Sequence, residues 1–298
     1  MRKFIVSDLH GNGNIYNSIM AYLENLNKEE EITLYINGDL IDRGFASAEM
    51  LIDIKNRITT KSGFNIEYLA GNHELMMYQA STGVFNGVWP PESIWFANGG
   101  YNTYADLVSL VDTGEEREII NFIANLKVYH KFNETIDGKK IILSHAKCPG
   151  IALDDCYLRI RFDNKKLEKL LWARSEDNKE KATIGNKSYF TIVGHTSVDD
   201  EKGYIYNEEE NYLNIDGGCA DYVSGSTTID HVPLVEIDGE NNRLIILTFN
   251  NNNEITHGNY FSNKTSTPIE DLDIYRKYLN PNVELKKMLF YNGVALFV

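Results

Sequence analysis

Five short polar motifs punctuate the chain, each placed where an apolar run ends: Asp8-Leu9-His10-Gly11, Gly38-Asp39-Leu40-Ile41-Asp42-Arg43-Gly44, Gly71-Asn72-His73-Glu74, Ser144-His145 and Gly194-His195-Thr196. Together they hold two carboxylates, an asparagine and three histidines able to ligate metal ions, with a further His, Asp and Arg beside them. Those are the parts of a two-metal phosphoesterase site. Hydrolysis of a phosphate ester at neutral pH needs a nucleophile made from water, neutralised phosphoryl oxygens and a stabilised leaving oxygen. Two divalent ions about 3.5–4 Å apart supply the first two.

Asp39 is the natural bridge between two ions, because each of its carboxylate oxygens can take one. Asp8 and His10 then complete the protein ligands of one ion, and Asn72, His145 and His195 those of the other. With a bridging hydroxide counted, the centre keeps a net charge of about +1, so neutral Asn72 in place of a third carboxylate helps it attract a phosphate anion, and Asn72 is itself a candidate phosphate contact. Mixed nitrogen and oxygen ligands suit manganese, iron or zinc better than calcium; manganese is the expected metal, with iron and zinc as alternatives. Arg43 can grip phosphate with a forked pair of donors. His73 follows a candidate ligand, and with Asp42 on its other ring nitrogen it would be a protonated general acid for the leaving alkoxide. Arg174, in Leu171-Trp172-Ala173-Arg174, is a second candidate phosphate clamp, against the plainer reading of an Arg that caps carbonyls at a helix end.

The elements that must position these residues follow from the apolar pattern. Strands are predicted at Lys3 to Val6, Ile32 to Ile36, Phe64 to Leu69, Lys140 to Leu143, Tyr189 to Val193, Tyr212 to Ile215, Val232 to Ile237 and Leu244 to Phe249. Asn14 to Leu26 and Phe45 to Ile58 have helical period, so the chain opens βαβαβ and builds a parallel sheet. Asp238-Gly239 marks a hairpin turn between two later strands. Ligands of open α/β sheets gather beyond the carboxyl ends of the strands. That rule brings Asp8, Asp39, Asn72, His145 and His195 to one edge. The glycines at 11, 44, 71 and 194 read as permitting sharp turns there. Residues near 75–128 and 151–188 carry helical and loop patterns and are expected as cleft walls. The extension from about residue 255 has no assigned role, and the whole chain, 1–298, reads as a single domain.

At 298 residues and 43% hydrophobic content the chain has ample material for a core. Its apolar runs are strand-sized, which argues against a membrane span. A net charge of −14 argues against a general nucleic-acid binder. It does not exclude a phosphate substrate, because bound cations and nearby arginines dominate the local field. The chain runs straight into a strand, with no room for a cleaved signal sequence. Cys148, Cys156 and Cys219 make no metal-finger spacing or disulfide framework, so the cytoplasm is the expected compartment. Cys148 reads as an inert thiol, and His130, His231 and His257 as ordinary surface or core residues. Oligomeric state leaves no signal.

As a set, these motifs resemble the metallophosphoesterase (calcineurin-like) superfamily, and within it the Ser/Thr protein phosphatases of the bacterial and bacteriophage lambda type. The resemblance runs over roughly residues 1–218 and also takes in Trp95 with Asn98-Gly99-Gly100, Leu171-Trp172 with Arg174, and Ile215-Asp216-Gly217-Gly218. It implies an α/β fold: a sandwich of two mixed β-sheets flanked by helices and built on βαβ units, with a dinuclear metal centre whose bound hydroxide attacks phosphorus directly. Similar sequences often carry Ala-Gly after the His at position 145, where this chain has Ala146-Lys147; Lys147 is placed to alter which phosphorylated group is accepted. Diadenosine tetraphosphate hydrolases of the same branch commonly have Asp where Glu74 stands and lack the Asp at position 42. Both differences favour a phosphomonoesterase, a Ser/Thr protein phosphatase with dual specificity as an extension, acting on a phosphorylated protein or a small phosphoester. The alternatives are a dinucleoside polyphosphate or nucleotide hydrolase and a catalytically silent scaffold for protein binding, the last disfavoured by the complete ligand set.

Overall fold

The computed structural model describes residues 1–84, 94–110, 115–149, 157–158, 164–174, 184–223, 225, 231–285, 288–291 and 294–297. Strand and helix alternate at the start, as β1 (Arg2–Val6), α1 (Gly13–Leu26), β2 (Ile32–Asn37), α2 (Ser47–Thr60) and β3 (Asn65–Leu69), with β1–β2 and β2–β3 paired in parallel. Every residue of β2 is buried, because helices cover one face of this sheet and a second sheet covers the other. Helix α1 is capped by Asn12, whose side chain accepts the Ile15 N–H at 3.3 Å. Helix α2 stops at Lys61, which takes the left-handed conformation favoured at helix ends.

Four helices follow, α3 (Asn72–Val84), α4 (Ile94–Ala97), α5 (Gly100–Leu110) and α6 (Glu115–Ala124), in the stretch read from sequence as a helical and loop wall. The second sheet comes next: β4 (Tyr129–Ile136), β5 (Lys139–Ser144), then α7 (Asn164–Trp172), β6 (Phe190–Val193), β7 (Ile205–Asn207) and β8 (Tyr212–Asn214). Much of the other expected wall, 151–188, lies outside the described residues. A short α8 (Cys219–Val223) leads to β9 (Val232–Asp238), β10 (Arg243–Phe249), β11 (Ile255–Ser262) and β12 (Thr265–Pro268), then α9 (Asp273–Arg276) and a separate hairpin of β13 (Met288–Tyr291) and β14 (Val294–Phe297).

The first sheet has the order β12-β11-β10-β9-β1-β2-β3 and the second β4-β5-β6-β8-β7, and each mixes parallel and antiparallel pairs. Along β1 the side chains alternate between two apolar layers. Phe4 and Val6 pack with Ile15, Leu23 and Leu51 beneath the helices, while Ile5 packs with Ile141, Leu143, Ile192 and Leu213 between the sheets. The architecture is therefore the expected α/β sandwich of two mixed sheets flanked by helices. Several strands extend the sequence reading, β4, β11 and β12 among them. Strand β4 carries Lys131, Asn133 and Glu134 on a sheet edge with a register shift, so it lacks the alternation of a half-buried strand. Strands β11 and β12, from the extension left without a role, complete the edge of the first sheet. Among the described residues no helix is long and apolar enough to cross a membrane.

Candidate active site

Strands β1, β2 and β3 of one sheet and β5 and β6 of the other run their carboxyl ends into the five motifs, and the loops there are laced together. The N–H groups of Asp8, His10 and Gly11 donate to the carbonyls of Gly38 (3.2 Å), Asp39 (2.9 Å) and Leu40 (2.9 Å). Across the sandwich, Asn37 Nδ2 donates to the Ser144 carbonyl at 3.2 Å, and within the second sheet Gly194 N–H donates to the His145 carbonyl at 2.7 Å. Asp8, His10, Asp39, Asp42, Arg43 and His195 all adopt the left-handed backbone, with φ between 45° and 74°. That region costs a non-glycine residue on the order of 1 kcal/mol. Six such residues at one crevice mark where the fold accepts strain in order to aim side chains.

Asp39 is the hub. Its Oδ2 lies 3.4 Å from His145 Nε2, 3.5 Å from His10 Nε2 and 3.9 Å from His73 Nε2. Asn72 Oδ1 lies 2.9 Å from both His145 Nε2 and His195 Nδ1. Two groups with metal-ligand geometry result, His10–Asp39–His73 and Asp39–His145–His195, and Asp39 belongs to both, as a bridging carboxylate must. The outer nitrogens of two histidines are held by carbonyls: His10 Nδ1 donates to Ile41 O at 3.1 Å and His145 Nδ1 to Asn37 O at 2.9 Å. A carbonyl only accepts, so it places the proton on Nδ1 and turns Nε2 towards Asp39, which is how metal-ligating histidines are oriented.

Electrostatics favour cations at this hub. Burial alone would push the His145 imidazolium down, but the carboxylates of Asp39 and Asp8 outweigh it and hold its pKa at about 10. Burial likewise opposes ionisation of Asp39, yet His145 and His73 keep it well below the usual carboxylate range. Burial, reinforced by His73, pushes His10 well down, and burial with His145 pushes His195 to about 3. Neutral His10 and His195 carry the lone pairs a metal requires. The donor set therefore fits a pair of divalent cations. Asp8 stands apart from both groups: its carboxylate accepts the His195 N–H at 3.0 Å and the Ser7 hydroxyl, and burial together with Asp216 raises its pKa well above normal. The structure thus gathers His73, rather than Asp8, with His10 and Asp39.

His73 Nδ1 donates to Asp42 Oδ2 at 2.7 Å, and both side chains are buried. Burial would lower the His73 pKa, but Asp39 and Asp42 raise it. The two arginines act on different histidines. Arg43 acts electrostatically on His10 and His73, and Arg174, exposed beyond the end of α7, acts on His195.

Sequence reasoning missed the role of Glu74. Its fully buried carboxylate accepts the N–H groups of Asp39 (2.9 Å), Leu40 (3.1 Å) and Gly71 (2.7 Å) and the Tyr68 hydroxyl (2.6 Å). Burial and the nearby Asp39 raise its pKa. It clamps the second motif to the third, and only its place after Asn72-His73 at a helix start hinted at this. The reading of the glycines also needs correction. Gly11 has φ +66°, but Gly71 and Gly194 are required for close approach instead, since a Cβ would run into Asp39 Oδ1 at one and Asp8 Oδ2 at the other.

Residues 1–223 match the family profile described as calcineurin-like phosphoesterase. Curated proteins give no match. Among solved structures, the chain is similar to a cold-active protein-tyrosine phosphatase of a psychrophile, Shewanella sp., with 16% identity, 90% of this chain and 80% of that chain covered, and a TM-score of 0.50. It is similar also to a protein serine/threonine phosphatase from Saccharomyces cerevisiae, with 16% identity, 84% and 80% covered and a TM-score of 0.52. At such identity the likeness is one of fold.

Proposed function

The chain belongs to the calcineurin-like phosphoesterase family, and from that premise we propose that it is a Ser/Thr protein phosphatase that also accepts phosphotyrosine. The observation that carries this reading is the buried Asp42–His73 contact of 2.7 Å beside the Asp39 hub. Serine and threonine alkoxides are poor leaving groups and gain most from a proton donor. Asp42 fixes the Nδ1–H of His73 and leaves Nε2 to protonate the leaving oxygen. A phosphoanhydride, whose leaving group is itself a phosphate, has less need of such a pair.

Two divalent cations, manganese by preference, held by Asp8, His10, Asp39, Asn72, His145 and His195, would supply activated water and polarise the phosphoryl group. The chain's own residues do the rest. Arg43 and Arg174 grip the phosphoryl oxygens from two sides, and Asn72, with Oδ1 turned to His145 and His195, keeps its amide N–H for the phosphate. The buried thiols of Cys148 and Cys219 suit a reducing cytoplasm.

An activity matrix tests the reading: phosphoserine, phosphothreonine and phosphotyrosine peptides and diadenosine tetraphosphate, each with manganese, iron, zinc or chelator. The expected result is manganese-dependent release of phosphate from the peptides. A clear preference for the dinucleotide would overturn it, and failure to bind two metal equivalents would turn the reading to a silent scaffold.

A further inference from the structure

We propose that Trp95 and Thr103, on helices that carry no metal ligand, are positioning residues for the leaving-group step. This rests on the Asp42–His73 reading above. Asp42 is fully buried, and both of its carboxylate oxygens are committed. Oδ2 accepts the indole N–H of Trp95 at 2.8 Å as well as Nδ1–H of His73, and Oδ1 accepts the Thr103 hydroxyl at 2.7 Å. The same hydroxyl oxygen accepts the Asp42 backbone N–H at 3.1 Å. An indole nitrogen only donates, and the Thr103 hydroxyl, with an N–H already pointed at its oxygen, has its proton turned to the carboxylate. Neither bond can reverse its sense, so the rotation of the Asp42 carboxyl plane is set from α4 and α5.

The backbone of that wall grips the same segment. Arg43 N–H donates to Gly99 O at 3.0 Å, and Asn102 Nδ2 donates to Arg43 O at 3.1 Å. At the start of α5, Gly100 lies so close that a Cβ there would strike the indole nitrogen of Trp95. On the metal side, by contrast, His10 and His145 are oriented by the carbonyls of Ile41 and Asn37, outside this wall. Loosening the wall should therefore misdirect His73 while leaving the metal ligands in place. Small errors of aim are enough to cost rate in proton transfer.

The test uses the manganese-loaded full chain and the variants Trp95→Phe, Thr103→Val and Thr103→Ser, with His73→Asn as reference. Each is assayed on a phosphoserine peptide and on 2,4-dinitrophenyl phosphate, whose leaving group needs no proton. We expect Trp95→Phe and Thr103→Val to lower kcat on the peptide about tenfold, a fraction of the roughly 100- to 10,000-fold that a general acid contributes. On the aryl ester the loss should stay below about threefold, with KM and metal content unchanged, and Thr103→Ser should restore the peptide activity. Adding Trp95→Phe to His73→Asn should cost nothing further, because both act through one proton donor. Equal losses on both substrates in Trp95→Phe and Thr103→Val, while His73→Asn still discriminates between them, would overturn the positioning role alone. If His73→Asn itself loses equally on both, it is the general-acid reading that fails. Should Thr103→Val not fold, the Trp95→Phe comparison decides.

Discussion

The two halves of the crevice are held in place by different means. On the metal side the chain emerges from strand ends in left-handed turns, and backbone carbonyls orient His10 and His145. On the side proposed to serve the leaving group Asp42 also sits in a left-handed turn, but its carboxylate is hydrogen-bonded by two side chains that lie 53 and 61 positions away. A site built on strand ends inherits its geometry from the sheets. A site aimed by a helical wall can be retuned through that wall without disturbing the sheets. This predicts that substitutions on the first side act on metal content and those on the second on leaving-group chemistry.

The largest effect should come from Asp39→Asn. One carboxylate belongs to both candidate metal groups, so its loss should empty both sites together and lower kcat by roughly 1,000-fold or more. Metal analysis of the purified variant checks it; a protein that kept two equivalents and most of its activity would break the distinction between the halves. Next is His73→Asn, expected to cut kcat on a phosphoserine peptide by about 100-fold. Here metal content should hold. Because His73 stands with His10 and Asp39 at ligand distances, a parallel loss of one metal equivalent would assign His73 to the metal side instead.

The asymmetry also explains what could be read from sequence. The residues proposed to hold metal show themselves because each strand hands a candidate ligand to the crevice at its own end, which couples an apolar run to a polar motif. Helix α1 was expected from Asn14 and begins at Gly13; helix α2 was expected from Phe45 and begins at Ser47. Trp95 and Thr103 follow no such coupling. Trp95 enters only through the family resemblance, since a tryptophan in a four-residue helix has no periodic signature of being a donor to Asp42. Glu74 was hidden for a related reason. A carboxylate in the first turn of a helix usually reads as favouring the helix dipole, whereas this one is buried against the N–H groups of another loop. Strand β4 escaped because a polar edge strand has no reason to alternate.

Glu74 lies where the halves join, so Glu74→Gln should touch both measures at once. The glutamine oxygen can accept, but its amide group meets N–H donors of the Asp39, Leu40 and Gly71 loops where the carboxylate accepted. We expect a loss of about 1–3 kcal/mol in urea unfolding and a weakening of metal binding by about 10- to 100-fold, the usual scale for residues that orient ligands. A variant with normal metal affinity and reduced stability would confine Glu74 to the fold.

The smallest effect marks the boundary of the site. Strand β9 runs antiparallel to β1, so Asp238 at its carboxyl end lies at the edge of the sheet opposite the crevice. There it accepts from Arg243 Nε at 2.8 Å. Although burial opposes its ionisation, bonds from Arg243 and Asn241 depress its pKa below the ordinary value. A depressed carboxylate stabilises the fold above its unfolded pKa and loses that contribution as pH falls through the folded one. Asp238→Asn should therefore cost about 0.5 kcal/mol at neutral pH, with the gap to the parent closing as the solution is acidified below about pH 4. Metal content and kcat should not change at all. If they did, the sheet would be transmitting strain from its far edge to the crevice, and the metal side could no longer be treated as set locally by its strand ends.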